Sequence, residues 1–132
     1  MSAEFVDTNV LVYFAEQHET KYRRAAELLA RQPVASVQVL NEFANVARRK
    51  LGLDWHQTQE ALLLLRSLLD VRPLTVKVHE TGLLLAARHD LHVHDALIVA
   101  AALLADCETL YSEDMHDGLL VAGRLRIVNP FR

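Results

Sequence analysis

Four carboxylates in this 132-residue chain, Asp7, Glu42, Asp95 and Asp114, stand where a sequence places chemistry rather than solubility. Asp7 closes the short apolar run Phe5-Val6, and Asp95 opens an uninterrupted apolar run from Ala96 to Ala105. Asp114 follows Thr109-Leu110-Tyr111-Ser112, and Glu42 borders a stripe of Val39, Phe43 and Val46. Carboxylates brought within a few ångströms of one another raise each other's pKa or recruit a cation. Hard oxygen ligands select Mg²⁺ or Mn²⁺. Such ions bind phosphate oxygens, lower the pKa of a bound water and neutralise charge at an attacked phosphorus, so the predicted reaction class is phosphoester hydrolysis. Each acid also has a plain structural account. Asp95 at a helix start is worth about 0.5–2 kcal/mol as a cap, Asp114 fits a polar turn, and Glu42 fits a solvated helix face. Their joint placement at the ends of elements favours the chemical account.

The elements that must position these acids alternate. Glu4 to Asp7 is a short extended run, and Thr8-Asn9 can cap a helix carrying Val10 to Phe14. Lys21 to Arg31 is helical by content until Pro33, after which Val34-Ala35-Ser36 is a second apolar run, with Ser36 able to cap the next helix. There Val39, Leu40, Phe43, Val46 and Ala47 recur at helical spacing, and Gly52 sits where a left-handed cap would go. Asp54 and Gln57 make a capping-box variant ahead of Ala61, Leu62, Leu65 and Leu69. Val71 to Leu74 suits a short strand, and Thr75 caps a helix reaching His89. The run from Ala96 to Ala105 has no polar face, which predicts a helix buried on all sides. Thr109 to Ser112 and Ile127-Val128 are the last strand candidates. Short strands alternating with helices predict a three-layer α/β/α domain on a parallel sheet, in which the carboxyl ends of strands share one edge. Asp7 and Asp114 would converge there.

Composition sets limits on this reading. The chain is 52% hydrophobic and 23% charged, with 14 basic and 17 acidic side chains for a net charge of −3. That describes an ordinary soluble domain over 1–132, and excludes disorder, collagen and a disulfide framework. No apolar run reaches the roughly 20 residues of a membrane span. Met1-Ser2-Ala3-Glu4 lacks the basic and apolar regions of a secretory leader, and Cys107 is the only cysteine, so a cytoplasmic protein is expected. The acidic balance argues against a histone-like binder, but without the four acids the remainder is no longer net acidic.

Other residues carry weaker signals. His89, His92 and His94 surround Asp90 and Asp95, yet their spacing fits no common zinc signature. Asp117 is close in sequence to Asp114, although Asp117-Gly118 also makes a plain turn. Arg48, Arg49 and Lys50 lie two turns beyond Glu42, and Lys21, Arg23 and Arg24 form a second basic group. Both groups could contact a phosphate backbone, or simply be solvated.

Taken in order, Phe5-Val6-Asp7-Thr8-Asn9-Val10-Leu11-Val12-Tyr13, Asn41-Glu42-Phe43, His94-Asp95-Ala96-Leu97-Ile98-Val99-Ala100-Ala101-Ala102 and Leu110-Tyr111-Ser112-Glu113-Asp114 resemble the PIN-domain family, particularly VapC-type toxins. The resemblance implies a metal-dependent endoribonuclease of a toxin–antitoxin pair, with a five-stranded parallel sheet. It implies that Asp7 and Asp95 hold Mg²⁺ or Mn²⁺, with Glu42 and Asp114 completing the pocket directly or through water. Thr8, Asn9 and Ser112 support them, Ser112 matching a recurring hydroxyl. It further implies an RNA substrate, a cognate antitoxin protein and a homodimer. His92 departs from the pattern, since relatives often carry Ser or Thr three residues before the third acid.

Two other functions compete. A receiver-like signalling domain needs an acidic pair at the first strand and a phosphoacceptor Asp ending a middle strand, but Asp7 stands alone and Val34-Ala35-Ser36 ends without an acid. A phosphatase of the haloacid-dehalogenase type needs Asp where Asn9 stands. The remaining alternative is a PIN-like module that binds RNA or protein without cutting, against which the presence of all four acids counts.

Overall fold

The computed structural model describes residues 3–132; Met1 and Ser2, where the leader reading begins, lie outside them. Twelve elements follow in the order β1 (Glu4–Val6), α1 (Thr8–Ala15), α2 (Tyr22–Leu29), β2 (Val34–Ser36), α3 (Val37–Arg49), α4 (Trp55–Leu68), β3 (Asp70–Arg72), α5 (Val76–His89), α6 (Val93–Leu104), β4 (Thr109–Tyr111), β5 (Leu120–Val121) and β6 (Leu125–Val128). The sheet order is β3-β2-β1-β4-β6-β5. Five strands are parallel, as expected, whereas β5 pairs antiparallel with β6 and makes a sixth. The hairpin escapes a pattern search because β5 is two residues long, and its turn needs Ala122 and Gly123 at positive φ (52° and 69°).

From β1 the chain steps outward through β2 to β3, then crosses back to β4 on the other flank of β1. Right-handed crossovers in opposite directions put helices on opposite faces, which gives the three layers. The reversal also leaves a crevice between the carboxyl ends of β1 and β4, where ligands bind in open α/β sheets. The two strands are in register from Glu4 opposite Thr109 to Val6 opposite Tyr111, and Asp7 extends the pairing by donating its N–H to the Tyr111 carbonyl at 2.9 Å. Asp7 and Ser112 therefore leave the sheet side by side.

The core holds Phe5, Leu11, Phe43, Ile98, Leu110 and Ile127, all fully buried. Every residue of α6 from Ala96 to Leu103 is buried, as its apolar run predicts, but Leu104 near the end of that run is 37% exposed. It packs closely on α5 at Gly82, where an added Cβ would meet Leu97 Cδ2 at 2.8 Å. Cap chemistry follows the sequence at α4, where Asp54 and Gln57 form a capping box, and at α5, where Thr75 accepts from the Val78 N–H. At α1 it differs. Asp7 is still extended (φ −81°, ψ 169°) and is itself the N-cap, Thr8 and Asn9 being already helical. At α6, His92 is the N-cap and makes no side-chain cap bond, so Asp95 lies in the first turn rather than capping it. Ser36 occupies the N-cap position of α3, yet its buried hydroxyl makes no cap bond. Gly52 is left-handed (φ 68°), but it lies beyond the Lys50 cap of that helix. Among the described residues no helix is long and apolar enough to cross a membrane.

Candidate active site

Asp7 is only 5% exposed. Its Oδ1 accepts the Thr8 N–H and its Oδ2 accepts the Ser112 hydroxyl, both at 2.7 Å. Burial pushes its pKa up to about 6; the bonds from Ser112 and Thr8 oppose this, while the neighbouring charges of Glu42 and Asp95 add to it. Both oxygens keep a lone pair for a further partner. Thr8, one residue on, turns its hydroxyl outward and donates to Glu42 Oε2 at 2.8 Å. That bond fixes the carboxylate of α3 against α1.

Asp95, in the first turn of α6, stands near enough to Asp7 and Asp114 for the charges to act on one another. Burial raises its pKa first and the charge of Asp114 raises it further, while His92 and His94 act in the other direction. Asp114, exposed on the loop after β4, accepts from Asn9 Nδ2 at 3.2 Å. Asn9 Oδ1 is buried with no donor. The coupling of Asp7 with Glu42 and Asp95, and of Asp95 with Asp114, brings the four predicted acids into one charge cluster, with Thr8, Asn9 and Ser112 between them. A cleft of about 530 Å³ opens from it, lined by Thr8, Asn9, Glu42 and Asp114 and running along α3 to Asn45 and Lys50.

Among the described residues no three His, Cys, Asp or Glu side chains form a ready metal cage. Each of Asp7, Glu42 and Asp114 turns at least one oxygen to a hydroxyl or amide donor. The donor set nevertheless fits a hard divalent cation, because it consists of carboxylates plus the orphaned amide oxygen of Asn9. It does not suit zinc, which favours nitrogen and sulfur. His89 has a buried, unpartnered Nε2, His92 occupies the N-cap position of α6 near Asp95, and His94 Nδ1 lies 3.9 Å from Glu42 Oε1.

Other predicted residues lie apart from the acids. Asp117 accepts from the Asn129 N–H at 2.8 Å and pairs with Arg132 at 3.2 Å, so it anchors the C-terminal segment instead of joining the cluster. Arg48 stacks over the Trp55 ring at 4.5 Å and donates to the Leu53 carbonyl, leaving Lys50 as the cation of that group in the cleft; Arg49 is exposed. In the second basic group Lys21 pairs with Glu113 at 2.5 Å, Arg24 donates to the Pro130 carbonyl at 3.1 Å, and Arg23 is exposed. Burial raises the Glu113 carboxyl, but the bonds from Lys21 and Tyr13 outweigh it and hold the pKa below its ordinary value. Tyr13 lines the cleft and was not singled out by sequence, although it follows Asn9 by one helical turn and so shares its face.

Residues 5–116 match the PIN domain family. Among solved structures the fold is similar to a toxin–antitoxin complex from Klebsiella pneumoniae, with 26% identity, a TM-score of 0.73 and 98% of each chain covered. It is also similar to VapBC2 from Rickettsia felis bound to a DNA fragment from its promoter, at 22% identity and a TM-score of 0.70 over 96% of this chain and 99% of that one. VapC20 from Mycobacterium tuberculosis, described as a Sarcin-Ricin loop cleaving toxin, shares 22% identity and a TM-score of 0.70 over 85% and 90%. No curated protein matches the sequence.

Proposed function

The chain belongs to the PIN-domain family, and from that membership we propose that it is a divalent-metal-dependent endoribonuclease acting as the toxin of a toxin–antitoxin pair. The observation that supports this reading is the hydrogen-bonded linkage of Asp7, Glu42 and Asp114 through Ser112, Thr8 and Asn9 at the carboxyl ends of β1 and β4, with Asp95 near enough for its charge to act on Asp7. Asp7 and Asp95 would hold Mg²⁺ or Mn²⁺, with Glu42 and Asp114 completing its surroundings directly or through water. The bound cation supplies an activated water and a counter-charge for the phosphate. The chain's own residues prepare for that. Ser112 and the Thr8 N–H orient Asp7, Thr8 Oγ1 orients Glu42, and Asn9 ties Asp114 to α1. Lys50, on the cleft, contacts the RNA backbone and offsets its charge.

Partners follow from the same features. Four carboxylates make a negative pocket into which an antitoxin arginine can reach, pairing bidentately and competing with the cation. Self-association is supported by apolar side chains left open on α4 and α5, where Leu63, Val76 and Leu84 are 68%, 75% and 72% exposed. The test is cleavage of RNA by the purified chain. EDTA abolishes it, Mg²⁺ or Mn²⁺ restores it, and Ca²⁺, with its looser coordination, does so poorly. Full cleavage in EDTA overturns the metal mechanism, and no cleavage with any divalent ion favours a binding module that does not cut.

A further inference from the structure

Between Ser112 and Gly118 the chain has neither helix nor strand, and among the described residues no backbone N–H from 113 to 117 bonds to the main chain. Asp114 is therefore placed by side chains. Its own tether is the single Asn9 bond at 3.2 Å, between exposed groups. The firmer tether belongs to its neighbour. Glu113 Oε1 accepts the Tyr13 hydroxyl, and Glu113 Oε2 accepts Lys21 Nζ at 2.5 Å.

Two successive residues of the loop are thus stapled to two successive turns of one helix, Asp114 to Asn9 and Glu113 to Tyr13. The donors to Glu113 are themselves held. Tyr13 stands edge-on to Phe131 at 5.1 Å and to His18 at 4.7 Å, and the Lys21 ammonium lies 4.7 Å from its ring centroid. His18 Nδ1 accepts the Lys21 N–H at 3.1 Å, which fixes the turn carrying that lysine. A charge-assisted bond to a half-buried carboxylate is stronger than one exposed amide bond, so on this side of the loop Glu113 holds Asp114 more firmly than Asn9 does, while Met115 on the other side is buried in the core. The same pairing sets a cation against this further negative charge.

We propose that Tyr13 and Lys21 clamp Glu113 so that Asp114 stays in the cation site, making them positioning residues for metal affinity. This rests on the proposed metal-dependent activity. The test is calorimetric Mn²⁺ binding to the full chain, with RNA cleavage measured in parallel. Tyr13→Phe and Lys21→Met should each weaken Mn²⁺ binding about tenfold, as loss of supporting contacts does at metal sites. Lys21→Arg, which keeps a cation within reach of Glu113, should recover most of the affinity. In an Asp114→Asn background the Lys21→Met effect should vanish, since the clamp acts through Asp114. Tyr13→Phe removes one oxygen, so a folded variant is available. Unchanged affinity in both single variants, or effects that add to Asp114→Asn, overturn the clamp. If the wild-type chain binds Mn²⁺ and shows this coupling yet cuts no RNA, the clamp stands and the ribonuclease reading falls.

Discussion

The two walls of the crevice are built by opposite means. On the β1 side, Asp7 is buried, continues a strand ladder, caps α1 and receives two short hydrogen bonds. On the β4 side, Asp114 is exposed, lies on a segment whose N–H groups from 113 to 117 make no main-chain bond and accepts one long bond from Asn9. Rigid secondary structure positions the first, and side chains distant in sequence position the second. The two acids should therefore differ in how their loss is felt.

The largest effect is expected on the rigid wall. Asp7→Asn should abolish cleavage, by about a thousandfold or more, because it removes a charged ligand at the centre of the cluster. The same change should raise the melting temperature by several degrees at neutral pH. Folded Asp7 holds its proton up to about pH 6 against its ordinary 3.8. Its stabilising contribution is therefore complete below about pH 4 and lost as pH rises through about 6. Ionised Asp7 costs the fold on the order of 2–3 kcal/mol at neutral pH, at about 1.4 kcal/mol per pH unit. In the variant, the Ser112 hydroxyl can reverse and accept from the new amide. Calorimetric melts across pH 4 to 8 check this, with the gap between variant and wild type closing as pH falls. Cleavage at limiting metal should decline over the same interval below about pH 6. A variant that melts well below wild type at pH 7 would show that Asp7 matters more as a cap than as a ligand.

A smaller effect belongs to the β4 wall. Asp114→Asn should cost about 10- to 100-fold in cleavage, recoverable in part by raising Mn²⁺, with the melting temperature nearly unchanged. If its loss matches that of Asp7→Asn and no metal concentration relieves it, the two walls are equivalent and the contrast fails.

The smallest effect separates two cations of α3 on the same principle. Arg48 is locked by Trp55 and the Leu53 carbonyl, whereas Lys50 is exposed on the cleft. Lys50→Ala should weaken RNA binding a few-fold, more at low salt than at high, without altering stability. Arg48→Ala should lower stability by about 0.5–1 kcal/mol through loss of the stacked contact and leave RNA affinity unchanged. Filter binding and thermal melts distinguish them.

Local patterns in the sequence determined the larger part of this molecule. The apolar run after Asp95 required a buried helix, Thr75 and Asp54 signalled their own caps, and acids at the ends of β1 and β4 followed from a parallel sheet. Such features depend on neighbours within a turn or a strand, where the physics is short-ranged. Tertiary structure alone decided what depends on long-range approach. The pairing of Ser112 with Asp7 and of Thr8 with Glu42, the diversion of Asp117 to Asn129 and of Arg48 to Trp55, and the seizure of Glu113 by Tyr13 and Lys21 all depend on contacts that residue type does not encode. A carboxylate in a polar turn reads the same whether it faces a cation or a lysine. Only the packing of α1, α2 and the sheet edge determines which partner comes within hydrogen-bonding distance of it.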